Sequence, residues 1–187
     1  MQGYDLFKQL FPQISPDELN RFRAHEALDL IGEEVSWYSG QFKRRLNANN
    51  LTVDNILATP YNYRSDLTAN DKHFHSWPQK YGPHEYHNDT FTSVFQWNLE
   101  DPLTPINSGG IYVSGYLKRS NITEQPFKAE DIVIVYDGYC ASTCTIFSEL
   151  MRTQGGVKAI ALGGRPNKDI IQAVGGVKGT NDYPCKF

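Results

Sequence analysis

The sequence predicts an α/β domain whose most legible part is a strand–turn–helix–strand unit near the C-terminal end. Asp131–Tyr136 (DIVIVY) and Val157–Leu162 (VKAIAL) are short apolar runs with the β-branched content of buried strands. Between them Ile146, Phe147, Leu150 and Met151 recur at helical spacing up to Gly155-Gly156. A strand, a helix and a second strand in that order form a βαβ unit, which makes the two strands parallel. The first third of the chain adds helical periodicity of its own.

Residues 1–58 read as a helical segment. Leu6, Phe7, Leu10 and Phe11 fall on one helical face, and Pro12 stops the run. Ser15-Pro16-Asp17-Glu18 has the form of a capping box with Pro at the first helical position. It predicts a second helix in which Leu19, Phe22, Ala27, Leu30 and Ile31 keep an apolar stripe to about Gly32. A stripe of that kind reads first as a face packed on a core, with partner binding as the alternative.

Residues 59–109 form an irregular segment crowded with rings: Tyr61, Tyr63, Phe74, Trp77, Tyr81, Tyr86, Phe91, Phe95 and Trp97. Disordered chains lack such rings, so the segment is expected to be ordered. Two readings stand side by side. It is either an excursion over a groove, with Trp77 a candidate ligand-contacting ring, or a loop pinned to the core by its own side chains.

Composition narrows the function classes. The chain has 187 residues, 18 Lys+Arg against 21 Asp+Glu, a net charge of −3, a pI near 5.9 and a mean hydropathy of −0.51. With no basic surplus to neutralise phosphates, nucleic acid is not an expected partner. No window approaches the roughly 18 apolar residues of a membrane span. Met1–Phe11 has neither a basic n-region nor an apolar h-region. Yet Asn50-Leu51-Thr52, Asn88-Asp89-Thr90 and Asn121-Ile122-Thr123 are N-glycosylation sequons, and Cys140, Cys144 and Cys185 make an odd cysteine count. Together these point to a piece of a longer secreted protein.

Four histidines, His73, His75, His84 and His87, lie in the aromatic segment. His84-Glu85-Tyr86-His87 is one residue short of the helical His-Glu-x-x-His zinc pattern, and Pro and Gly surround it. Hydrogen-bonded loop histidines are the expectation, with no metal. No phosphate-cradling glycine loop is present, so no nucleotide cofactor is expected either.

Residues 110–187 carry the candidate chemistry. Asp137-Gly138 breaks the first strand, and Cys140-Ala141-Ser142-Thr143-Cys144 leads into the helix. Ser142 therefore stands where a strand turns into a helix, facing unpaired backbone N–H groups and the positive end of the helix dipole. Those groups can stabilise the oxyanion of an attacked carbonyl, so nucleophile and oxyanion hole arrive together. The competing reading is a plain N-cap, because Ser is favoured there and no Gly-x-Ser-x-Gly elbow surrounds it.

Gly138-Tyr139-Cys140-Ala141-Ser142-Thr143-Cys144 through Ser148-Glu149, then Gly163-Gly164-Arg165-Pro166 and Gln172-Ala173-Val174-Gly175-Gly176-Val177-Lys178-Gly179, resemble the tail-specific serine proteases of peptidase family S41. The similarity is to its fungal secreted branch, akin to the chlamydial protease-like factor. It is strongest over residues 130–180 and looser over Gly3–Phe11 and the aromatic middle.

The resemblance implies a crotonase- or ClpP-like fold of stacked ββα units and a Ser nucleophile at Ser142. It leaves two catalytic arrangements open. In one, a Lys base and a nearby Gln follow the Ser, matched here by Lys168 at 26 residues and Gln172 at 30. In the other, His and Glu partners lie outside this chain. The family also places a Gly-rich oxyanion strand before the stretch matching Gly3-Tyr4-Asp5-Leu6. Residues 1–187 are thus expected to be an incomplete copy of the protease domain.

The expected function is a serine-type endopeptidase acting on protein or peptide substrates. Ser142 attacks, the Thr143 N–H helps hold the oxyanion, Lys168 and Gln172 are the candidate base and orienter, and Asn50, Asn88 and Asn121 are the candidate glycan sites. The alternative is a non-catalytic secreted module that binds peptide or glycan through the aromatic middle.

Overall fold

Helix α1 (Gln2–Leu10) ends where Pro12 forbids continuation, its last turn closed by the Phe11 N–H donating to the Phe7 carbonyl. The buried stripe is Tyr4, Phe7 and Phe11 rather than the expected Leu6–Phe7–Leu10–Phe11 face; Leu6 is 46% exposed. The computed structural model describes residues 1–17, 19–46 and 50–164. These fall into two packed units: Asp17–Ile111, and a second that joins Met1–Pro16 to the chain from Tyr112 onward. The segment 1–58 is thereby divided, with α1 in the company of the βαβ residues and the rest packed with the aromatic middle.

In the Asp17–Ile111 unit the helix predicted from Ser15 does not form. Residues 19–25 are extended, with Asn20 bridged to Phe95 and Arg23 to Phe91, and Glu18 of the capping box lies outside the described residues. The Asn20 and Phe95 backbones exchange N–H···O bonds of 2.8 Å, and the Thr92 N–H donates to the Phe22 carbonyl at 2.9 Å. Strand-like pairing to a distant segment has overridden a local capping signal. Helix α2 (Glu26–Ser39) starts instead at His25, whose Nδ1 accepts from the Ala27 N–H at 3.1 Å. Helix α3 (Leu51–Ala58) is capped by Asn50 and packs Val53, Leu57 and Ala58 against Leu103.

The aromatic segment is held by short elements. Strand β1 (Asp66–Thr68) pairs antiparallel with β4 (Phe95–Trp97), Leu67 opposite Gln96. Helix α4 (Trp77–Tyr81) lies between β1 and the hairpin of β2 (His84–Tyr86) and β3 (Asp89–Phe91) in chain order. The hairpin turns at His87-Asn88, both at positive φ (51° and 61°), as a two-residue type I′ connection requires. Phe95, Phe74 and Trp77 are buried. The rings therefore pin this segment to its own core.

One ion pair in this unit is unusually deep. The Lys80 amine, 1% exposed, donates to the Asp66 carboxylate and to the Pro60 and Asn62 carbonyls. Burial drives the Lys80 amine down and the Asp66 carboxyl up from their ordinary ranges, against the mutual attraction of the pair.

In the other unit, strand β5 (Val133–Tyr136) runs parallel to β6 (Lys158–Ala161), with Val133 opposite Lys158 and Tyr136 opposite Ala161. Helix α5 (Thr143–Glu149) joins them and continues as a π turn over Leu150–Gln154. The predicted order is thus observed. The strands are not buried as expected: Val133, Val135 and Ile160 are 51%, 59% and 51% exposed, because among the described residues β5 and β6 pair only with each other. The buried apolar contacts come from the helical connection, where Leu150 and Met151 are 0% and 1% exposed.

Candidate active site

The link between β5 and α5 makes two successive turns. Gly138, at φ +85°, supplies the left-handed residue of the first, and the Asp137 side chain accepts from the Tyr139 N–H at 2.9 Å. The second spans Ala141 to Cys144 and is closed by the Cys144 N–H donating to the Ala141 carbonyl at 3.1 Å. Ser142 is its first central residue, with φ +54° and ψ −121°. That is the type II′ position, about +60° and −120°, which Gly normally fills. A serine held there stores on the order of 1–3 kcal/mol of backbone strain, a feature that clusters at active sites.

This conformation departs from that of a capping serine. A capping serine is extended and its oxygen accepts an N–H from the first helical turn. Ser142 is exposed and left-handed, and its side chain makes no capping bond. The residue stands exposed at a sharp strand-to-helix turn that has no glycine beside it. Among the described residues no histidine, lysine or carboxylate is hydrogen-bonded to that hydroxyl. Thr143 follows as the first helical residue, whose N–H has no acceptor within the helix.

Three contacts fix the elbow. Cys140 and Cys144 form a disulfide across it, Cα to Cα 5.3 Å. Beyond it, the buried hydroxyls of Tyr136 and Ser148 are hydrogen-bonded to each other, tying the end of β5 to α5. On the helix side, α1 approaches so closely that a Cβ at Gly3 would meet the Thr143 carbonyl oxygen at 2.9 Å and the Phe147 nitrogen at 3.2 Å. Helix α1 is itself anchored at Asp5, whose carboxylate accepts from the Ser114 N–H and hydroxyl and from Arg119, each at 2.8 Å. Burial, the largest single influence, pushes the Asp5 carboxyl up; these bonds together outweigh it and hold it below its ordinary value.

Three curated fungal proteins are similar to nearly the whole chain. It is 34% identical over 180 residues to peptidase S41 family protein phomP1 of Diaporthe leptostromiformis, covering 95% of this chain and 25% of that protein. It is 33% identical over 180 residues to peptidase S41 family protein ustP of Aspergillus flavus, covering 95% of this chain and 35% of that one. A second Diaporthe protein, phomP1′, matches at 34% over the same share. The chain belongs to peptidase family S41. It spans about a quarter to a third of the length of these S41 relatives. No family profile and no solved structure matches it.

For an S41 chain the residues of interest divide cleanly. Ser142 and Thr143 are adjacent at the elbow, whereas Lys168, Gln172 and Cys185 lie outside the described residues. The three sequon asparagines, Asn50, Asn88 and Asn121, are all exposed, although Asn50 also caps α3 by accepting from the Val53 N–H at 3.2 Å. Among the described residues no three His, Cys, Asp or Glu side chains gather as metal ligands, and no helix is long and apolar enough to cross a membrane.

Three side chains that sequence reasoning singled out or missed are settled by their hydrogen bonds. Trp77 is 4% exposed, donates its indole N–H to Asp29 at 2.8 Å and fills the space where a Cβ at Gly32 would sit, so it belongs to the core rather than to a groove. His84 and Ser93, nine residues apart, stand 2.8 Å from each other and mimic a base–nucleophile pair. But the Ser93 hydroxyl donates to the Gln79 carbonyl at 2.7 Å. Its single proton is committed there, so His84 donates to Ser93 and cannot act as its base.

Proposed function

We propose that this chain supplies the nucleophile of a serine-type endopeptidase. The observation that carries the reading is the left-handed, uncapped Ser142 at the β5–α5 elbow in a chain of peptidase family S41. Ser142 Oγ attacks the scissile carbonyl carbon, and its proton passes to a base. The carbonyl oxygen, now an oxyanion, accepts from the Thr143 N–H, an interaction worth on the order of 10²–10³ in rate for a single donor. Collapse expels the amine with the transferred proton and leaves an acyl-enzyme for water to hydrolyse.

Lys168 is the candidate base and Gln172 its orienter. A lysine serves only as the neutral amine, so burial or neighbouring charge has to depress its pKa from ~10.4. The other candidate is a histidine outside these 187 residues. The β5–α5–β6 unit is read as one layer of a crotonase- or ClpP-like stack of ββα units. The exposed sequons support a secreted, glycosylated protein of which this chain is a part.

The test is casein hydrolysis by the full-length protein. Ser142→Ala is expected to abolish it, and an undiminished rate would remove Ser142 from the mechanism. Lys168→Ala separates the two bases: loss of rate selects Lys168, and retention selects the histidine. The intact mass of the native protein before and after deglycosylation, from culture fluid and from cell extract, tests secretion.

A further inference from the structure

The elbow contains a covalent bond that the hydrolytic chemistry does not consume. Cys140 and Cys144 stand immediately outside the three residues Ala141, Ser142 and Thr143, and their disulfide closes a ring around Ser142. Four residue steps span up to ~14 Å when extended. Here the ring holds the two Cα atoms 5.3 Å apart. Among the described residues the backbone bond across the turn is the 3.1 Å one from the Cys144 N–H to the Ala141 carbonyl, and the Ser142 carbonyl accepts from the Ile146 N–H at 3.2 Å.

Backbone hydrogen bonds of 3.1 and 3.2 Å at an exposed turn are weak tethers for a residue in a conformation that costs free energy. Serine in this position relaxes to negative φ when the tethers are lost, toward the extended cap geometry that Ser prefers. The covalent ring removes that escape. Its two ends also differ: Cys140 is 7% exposed, whereas Cys144 is an exposed residue.

We propose that the Cys140–Cys144 disulfide is a positioning element for Ser142, so that reducing it switches off the nucleophile. The inference rests on the peptidase reading above. A dithiol delivers two electrons and two protons; the Cys140–Cys144 bond breaks into two thiols, and the sulfurs of the reductant close into its own disulfide.

The experiment compares the oxidised full-length protein, the same protein reduced with dithiothreitol, and the Cys140→Ser/Cys144→Ser variant. Two readouts are taken. Amide hydrogen exchange at residue 144, followed by NMR on 15N-labelled protein, reports the turn without reference to activity. Casein hydrolysis reports catalysis.

Opening the bond is expected to speed exchange at that amide at least tenfold. It is also expected to lower kcat at least tenfold with KM within twofold, and reoxidation restores the wild-type protein but not the double variant. Unchanged exchange overturns the proposal whatever the activity does, as does full kcat with both thiols alkylated. Mapping that finds Cys140 or Cys144 joined to Cys185 overturns it too. Oxidised protein with no Ser142-dependent hydrolysis overturns the peptidase reading instead, and the exchange readout still decides the clamp.

Discussion

Gly3 packs against Thr143 so tightly that no side chain fits between them: a Cβ there would stand 2.9 Å from the Thr143 carbonyl oxygen, a backbone atom that cannot rotate away. The first turn of α1 therefore rests on the first turn of α5, one residue from Ser142. Gly inside a helix normally costs roughly 0.5–1 kcal/mol relative to Ala. Gly3→Ala is expected to reverse that sign and destabilise by about 1–3 kcal/mol through overpacking. The urea midpoint of the full-length protein checks it, and a midpoint at or above wild type would mean that the helices part freely.

Strain at Ser142 has its own signature. Ser142→Ala keeps a Cβ in the left-handed conformation, whereas Ser142→Gly removes the cause of the cost. Both variants should be inert toward casein. Ser142→Gly should nonetheless be the more stable of the two, by about 1 kcal/mol after allowing for the greater freedom of Gly in the unfolded chain. Equal stabilities by chemical denaturation would show that the elbow is relaxed.

This strain marks the limit of what the sequence discloses. The order strand, turn, helix, strand was legible because apolar period and turn residues agree from Asp131 to Leu162, and it placed Ser142 at the junction. The left-handed conformation was not legible, since Gly is the residue that announces a type II′ turn and Ser occupies its place. Nor was the disulfide: Cys140 and Cys144 were each equally open to an outside partner until their Cα separation was known.

The failed helix at Ser15 has a different cause. Ser-Pro-Asp-Glu is a sound local start, but Asn20, Phe22 and Arg23 meet the backbone of Phe91–Phe95, some 70 residues away, and those partners leave no mark on the local pattern. The exposed faces of β5 and β6 were hidden for the same reason, because an apolar run does not say how many strands stand beside it.

Asp5 should make its unit acid-sensitive. Its carboxyl sits below its ordinary value, because the bonds from Ser114 and Arg119 outweigh burial. A group depressed on folding stabilises fully above its unfolded pKa and loses that contribution as pH falls through the folded one. The Asp5→Asn variant should therefore be less stable than wild type at pH 6, with the gap closing below about pH 4. Urea midpoints at pH 6 and pH 3 measure the change. A gap as wide at pH 3 as at pH 6 would assign the effect to shape rather than charge.

The Lys80–Asp66 pair tests the opposite regime. Lys80→Met leaves a fully buried carboxylate without its cation, which costs about 3–5 kcal/mol. Asp66 already has one oxygen, Oδ1, without a hydrogen-bond partner among the described residues. Removing both charges in Lys80→Met/Asp66→Leu should therefore recover most of that loss. Thermal melts of the single and double variants decide it, and a double variant no better than the single would mean that the pair is net stabilising.

The same lysine has a use that its burial creates. Surface lysines acylate readily, but Lys80, enclosed by Asp66 and two carbonyls, and Lys8, 5% exposed with its amine on the Pro12 and Ile14 carbonyls, are shielded while their surroundings stay closed. They belong to different units. Acylation at Lys80 thus dates the opening of the Asp17–Ile111 unit, and acylation at Lys8 dates that of the unit bearing Ser142. The chain carries two internal clocks, one for the unit with the elbow and one for the unit without it.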